Sequence, residues 1–126
     1  MDLPNTEPMA ILLEDDAAVR SAIALCLEFR GLHVVTAPTD LDLAHLIATR
    51  GLRPALIIAD YRLGSKTVFD VMPNVVAESG ARVVVTAGDV RPEIRAQVEA
   101  RGWRLLSKPY DPEDAIPCIE GHERLE

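Results

Sequence analysis

An α/β fold is predicted, with a doubly wound, five-stranded parallel sheet covered by helices on both faces. Three observations carry this reading. Short apolar runs alternate with helical patterns five times along 126 residues. The runs are continuously apolar rather than alternating, as in strands buried on both sides. The connections are short, and right-handed crossovers leave few arrangements.

The elements follow in order. Residues 1–8 hold two prolines and no hydrophobic pattern, so a flexible leader is expected. Residues 9–13 are apolar and end at Glu14-Asp15-Asp16, which suits a central strand. Residues 17–30 place Val19, Ile23 and Leu27, with Ala24 and Leu25, at helical spacing on one face, and Gly31 ends the pattern. Residues 32–36 are rich in β-branched side chains and read as a strand. Asp40 is expected to cap a helix running to about Arg50, with Leu41, Ala44, Leu46 and Ile47 inward and Gly51 as its stop.

Pro54 opens a strand over 55–59 that delivers Asp60. Residues 67–79 form a weaker helical pattern. Pro73 would remove a donor and cost about 3 kcal/mol in a helix interior, so a short or broken helix from near Pro73 is expected. Residues 82–85 read as a strand ending at Thr86, and Pro92 suits the first turn of a helix to about Arg101. Residues 103–107 are the last strand. Asp111 is placed to cap a final helix with Pro112 in its first turn, and Pro117 disturbs that helix one turn later. The third and fifth helices are thus expected to be weak. One domain spans 9–122, followed by a tail over 123–126.

Hydrophobic residues make up 48% and charged residues 26%, and the formal net charge is −7. That balance argues against non-specific nucleic-acid binding, which needs clustered cations. No run approaches the roughly 18 apolar residues of a membrane span, and residues 1–8 lack a signal-peptide core, so a cytoplasmic protein is expected. Cys26 and Cys118 lack metal-type spacing and read as core thiols. His33, His45 and His122 are scattered, and no zinc site is expected of them.

Parallel strands share one edge at their C-terminal ends, where ligands bind in open α/β sheets. Glu14 and Asp15 follow the first run, Asp60 the third, Thr86 ends the fourth and Lys108-Pro109 follows the fifth. Each has a plainer reading. Asp15 or Asp16 could cap the first helix, Asp60 could be a loop residue, Thr86 a β-branched strand residue, and Lys108-Pro109 a surface turn. Asp16 suits the cap, because Ala17 starts the helix, and this frees Glu14 and Asp15. Coincidence at matching strand ends favours one crevice. Three carboxylates there raise one another's pKa unless a cation intervenes, and Mg2+ is the natural occupant. A carboxylate can also accept a phosphoryl group as a nucleophile, a reaction that asks mainly for positioning and charge neutralisation. Mg2+ and Lys108 would supply positive charge, Thr86 a hydroxyl donor, and small Ala87 would leave room. Pro109 admits a cis peptide that would aim Lys108 inward.

From residue 10 to about 119, the chain resembles the receiver domains of bacterial two-component response regulators. The motifs are Ile11-Leu12-Leu13-Glu14-Asp15-Asp16 with Arg20, Ile57-Ile58-Ala59-Asp60-Tyr61-Arg62-Leu63-Gly64, Val84-Val85-Thr86-Ala87-Gly88 and Leu106-Ser107-Lys108-Pro109-Tyr110. The resemblance implies a flavodoxin-like receiver fold of strand order 2-1-3-4-5. It implies Asp60 as phosphoacceptor, served by a phosphohistidine on a histidine kinase or histidine phosphotransfer protein. It also implies Mg2+ on Glu14, Asp15, Asp60 and the Arg62 carbonyl, with Thr86 and Lys108 sensing and balancing the phosphoryl group. Kinase docking is expected near Val19, Arg20 and Ile23 and on the loop after Lys108.

The chain departs from the family's pattern at several places. Leu105 stands where members usually carry the Tyr or Phe whose rotation reports phosphorylation, and Val68 where most have Gly. The segments from Asp60 to Thr86 and from Gly102 to Lys108 are short. A stand-alone phosphoacceptor switch or relay, not a turnover enzyme, is the first reading, with output through a protein partner. The alternative is a pseudo-receiver, a binding module independent of phosphorylation, which Leu105 and Val68 favour. An aspartyl phosphatase would need a second acid two residues after the nucleophile, where Arg62 stands.

Overall fold

The structure, a computed structural model, describes residues 9–51 and 53–115. The expected leader (1–8), Pro117 with the rest of the final helix, Cys118, His122 and the tail (123–126) lie outside the described residues. Five parallel strands form the main sheet: β1 (Met9–Leu13), β2 (His33–Ala37), β3 (Leu56–Asp60), β6 (Arg82–Ala87) and β7 (Arg104–Ser107), in the order β2-β1-β3-β6-β7. This is the 2-1-3-4-5 order of the long strands. A small antiparallel pair, β4 (Arg62–Leu63) and β5 (Lys66–Thr67), follows β3 directly and was not foreseen.

The helices are α1 (Ala17–Phe29), α2 (Asp40–Arg50), α3 (Val68–Ser79) and α4 (Pro92–Ala100), and a 3-10 turn covers Pro112–Ala115. Alternation along the central strands divides the core in two, because successive strand side chains point to opposite faces. Ala10, Leu12, Leu56, Ile58 and Val84 meet Ile23 and Leu27 of α1 and Ala115 of the 3-10 turn. On the other face, Ile11, Leu13, Ile57, Ala59, Val83 and Val85 meet Leu43 of α2, Val68 and Met72 of α3, and Ile94 and Val98 of α4. Each fully buried aliphatic side chain contributes about 1.5–3 kcal/mol.

Several local expectations are corrected. Thr39, not Asp40, caps α2: its Oγ1 accepts from the Asp42 amide at 3.1 Å and donates to the Asp42 carboxylate at 2.9 Å. Leu43 is buried with Leu46 and Ile47 beside it on the face toward the sheet, while Leu41 is 72% exposed. The side chain of Ala44 lies outside the described residues. On α1, Leu25 faces solvent, and Cys26 is exposed rather than a core thiol, since both fall off the Ile23–Leu27 stripe.

The third helix is neither short nor broken at Pro73. It begins at Val68 and runs twelve residues through the proline. Asp70 accepts from the Thr67 amide at 3.0 Å at its start, and buried Val68, Val71 and Met72 pin its first turns. Pro73 is exposed, so the donor it lacks is missing on the solvent side, where water can serve the backbone. The last segment begins as a 3-10 turn rather than an α-helix, with the Asp114 amide donating to the Asp111 carbonyl at 2.8 Å.

Candidate phosphoacceptor site

Strand register brings the predicted residues to one edge. Leu13 pairs with Ala59, so Glu14 and Asp60 emerge side by side. Asp60 pairs with Thr86, and Ala87 with Ser107, which places Lys108 next along that edge. The Lys108 amide donates to the Ala87 carbonyl at 2.8 Å, and the Lys108–Pro109 peptide is cis.

The side chains converge. Lys108 Nζ donates to Asp60 Oδ2 at 2.9 Å and lies 3.6 Å from Glu14 Oε1. Carboxylate oxygens of Glu14, Asp15 and Asp60 all lie within 4.8 Å of one another. Glu14 is buried, Asp60 half-buried and Asp15 exposed. Asp16 caps α1, accepting from the Val19 amide at 3.0 Å, as the sequence suggested. Its own amide donates to Glu14 Oε2 at 3.2 Å. Arg20 reaches back from α1 to donate to the Glu14 carbonyl at 2.7 Å. Thr86 is buried, only 2% exposed, at the end of β6. Arg62 is exposed at the start of β4 and lines a cleft of ≈ 330 Å³ beside Asp60, together with Tyr61, Gly88, Arg91 and Lys108.

Electrostatics follow from this packing. Burial pushes the Glu14 carboxyl above its ordinary value; the Asp60 and Asp15 charges add to that, against the Asp16 amide and Lys108. Burial works to lower the Lys108 pKa, but its hydrogen bond to Asp60 and the charges of Asp60 and Glu14 outweigh it, so the ammonium is held above its usual range. Burial also raises the Tyr110 phenol, with Glu14 and Asp60 pushing the same way.

Sequence reasoning did not single out Tyr110 or Arg91. Tyr110 directly follows Lys108-Pro109, yet nothing in its spacing signals proximity to two acids on other strands. Arg91 precedes α4 without a side-chain cap and lies 3.7 Å from Asp89. Of the residues expected to dock a kinase, Ile23 is unavailable, because it is buried in the core beneath α1; Val19 is 39% exposed.

A cluster of hard oxygen donors with excess negative charge fits a small divalent cation. Held by a lysine against a carboxylate, it also provides an anchored nucleophile with cationic charge at hand.

No family model matches the sequence, and no curated protein does. Solved structures do match in fold. A two-component response regulator from Clostridium difficile superposes with a TM-score of 0.82 at 13% identity, covering 95% of this chain and 99% of that one. A response regulator receiver protein from Pseudomonas putida gives 0.80 at 23% identity, covering 93% and 98%. A CheY-like receiver domain protein from Methanospirillum hungatei JF-1 gives 0.79 at 19%, covering 93% and 94%. The sheet order and these likenesses agree: the chain has the fold of the response regulator receiver domain.

Proposed function

We propose that this domain is a phosphoacceptor that takes a phosphoryl group onto Asp60 from a phosphohistidine of a histidine kinase or histidine phosphotransfer protein. An Asp60 oxygen attacks phosphorus and the O–P bond forms as the P–N bond to the imidazole breaks; the nitrogen keeps the electron pair and takes up a proton. The observation that carries this reading is the Lys108–Asp60 contact of 2.9 Å inside the cluster with Glu14 and Asp15. Lys108 orients the carboxylate and balances charge on the incoming group. Thr86, paired with Asp60 across β3 and β6, would offer its hydroxyl to a phosphoryl oxygen. Glu14, Asp15 and Asp60, with the Arg62 carbonyl, would hold Mg2+, which when bound supplies charge neutralisation for phosphoryl transfer.

The domain acts as a switch or relay through protein contacts in the cytoplasm, and it is not a turnover enzyme. Incubation with a small acyl phosphate and Mg2+ should add the mass of one phosphate, and Asp60→Asn should abolish the addition. No adduct on the wild type would instead favour a phosphorylation-independent binding module, the reading to which the buried aliphatic Leu105 lends weight. Among the described residues no helix is long and apolar enough to cross a membrane.

A further inference from the structure

We infer that the state of Asp60 is reported through an aromatic stack, Tyr61–Phe69–Trp103, that ends at the junction of α4 and β7. The inference rests on the phosphoacceptor reading above. Leu105 is 7% exposed and packed in the core, so β7 offers no ring there to turn between interior and surface. The stack supplies a different physical link. Tyr61 adjoins Asp60, and its backbone is tied on both sides. Its amide donates to the Thr86 carbonyl at 2.7 Å, and its carbonyl accepts from the Val68 amide at the start of α3 at 2.8 Å.

Its ring meets Phe69 edge-on, with centroids 5.8 Å apart and planes at 71°. Phe69 stacks on Trp103 at 6.3 Å and 13°. The Arg101 guanidinium lies over the middle ring, 4.4 Å from the Phe69 centroid, and 5.7 Å from that of Trp103. Aromatic pairs prefer offset-stacked or edge-to-face geometry, so a rotation of the Tyr61 ring obliges its neighbour to re-pack.

One end of this route adjoins the site, and the other shares a strand with it. Tyr61 follows the phosphoacceptor itself, and Trp103 immediately precedes the strand whose other end carries Lys108. A phosphoryl group on Asp60 must share or replace its hydrogen bond to Lys108. That change displaces residue 61 relative to Thr86 and α3, and the rings carry it across the α3 and α4 side of the sheet. Packed elements with alternative arrangements can transmit such shifts.

Trp103 is the single tryptophan, so its emission reads the far end of the stack directly. The wild type is treated with a small acyl phosphate and Mg2+, the adduct is followed by mass and the emission in parallel. The expected result is an emission change that tracks adduct formation, is lost in Phe69→Leu and in Tyr61→Leu, and is retained in Phe69→Tyr, which keeps the ring. Adduct without an emission change in the wild type would overturn the inference while leaving the phosphoacceptor reading standing. An emission change that persists in Phe69→Leu, with adduct still formed, would also overturn it. Absence of any adduct on Asp60 would bring down the reading beneath it and the inference together.

Discussion

Replacing Lys108 by Met removes the positive charge that contacts two of the clustered acids while keeping an unbranched side chain of similar length. At an effective dielectric of about 20, its contacts of 2.9 Å to Asp60 and 3.6 Å to Glu14 correspond to about 6 and about 5 kcal/mol of Coulomb attraction. The three carboxylates, within 4.8 Å of each other, repel by about 3.5 kcal/mol or more per pair on the same scale. Lys108 is 30% exposed, so solvent screens much of this, and a net loss of about 3 kcal/mol is expected in the mutant. Asp60→Asn behaves differently. It gives up about 6 kcal/mol of attraction to Lys108 but sheds about 7 kcal/mol of repulsion from Glu14 and Asp15, so its stability should stay within about 1 kcal/mol of wild type. Urea unfolding at neutral pH in chelator measures both. Lys108→Met as stable as wild type, or Asp60→Asn as damaged as Lys108→Met, would refute the charge cluster as drawn.

Three further outcomes are expected. Mg2+ should raise the thermal midpoint of the wild type, and Asp15→Asn, an exposed change that spares the core, should weaken Mg2+ binding in a calorimetric titration by about tenfold or more. Tyr110 has its pKa raised on folding, so its contribution to stability is fully present below the unfolded value of 10.0 and is lost as pH rises through the higher folded value. Ultraviolet titration of the folded protein should therefore show a late phenolate phase that Tyr110→Phe removes. Pro73→Ala should stabilise α3 by about 2 kcal/mol in denaturant unfolding, since an exposed interior proline is relieved; a loss of stability would mean its ring packs usefully.

The strands were legible because continuous apolar runs such as residues 56–59 and 83–85 have few other uses, and the site was legible because charges repeatedly fell at their ends. Register did the rest: Asp60 against Thr86 and Ala87 against Ser107 follow from pairing neighbours in the expected order. Helix phase was harder. Leu41 and Leu43 are both apolar, and it is packing against the sheet, together with Leu46 and Ile47, that turns Leu43 inward and leaves Leu41 in solvent. Pro73 misled because propensity carries no knowledge of the buried Val68, Val71 and Met72 that hold its helix together. The β4–β5 pair escaped notice at two residues per strand, too short for any period. Tyr61, Phe69 and Trp103 are spread over 43 positions, and nothing local says that they touch.

Glu14 commits one oxygen to its own chain: Oε2 takes the Asp16 amide, leaving Oε1 toward the lysine and the other acids. A carboxylate so tethered presents Oε1 first, the oxygen that faces the lysine. Three carboxylates offering one oxygen each would leave the remaining positions of a compact octahedral ion to water and phosphoryl oxygens. The main-chain bond at the head of α1 thus holds Glu14 in one orientation at the mouth of the acid cluster, before any ion arrives.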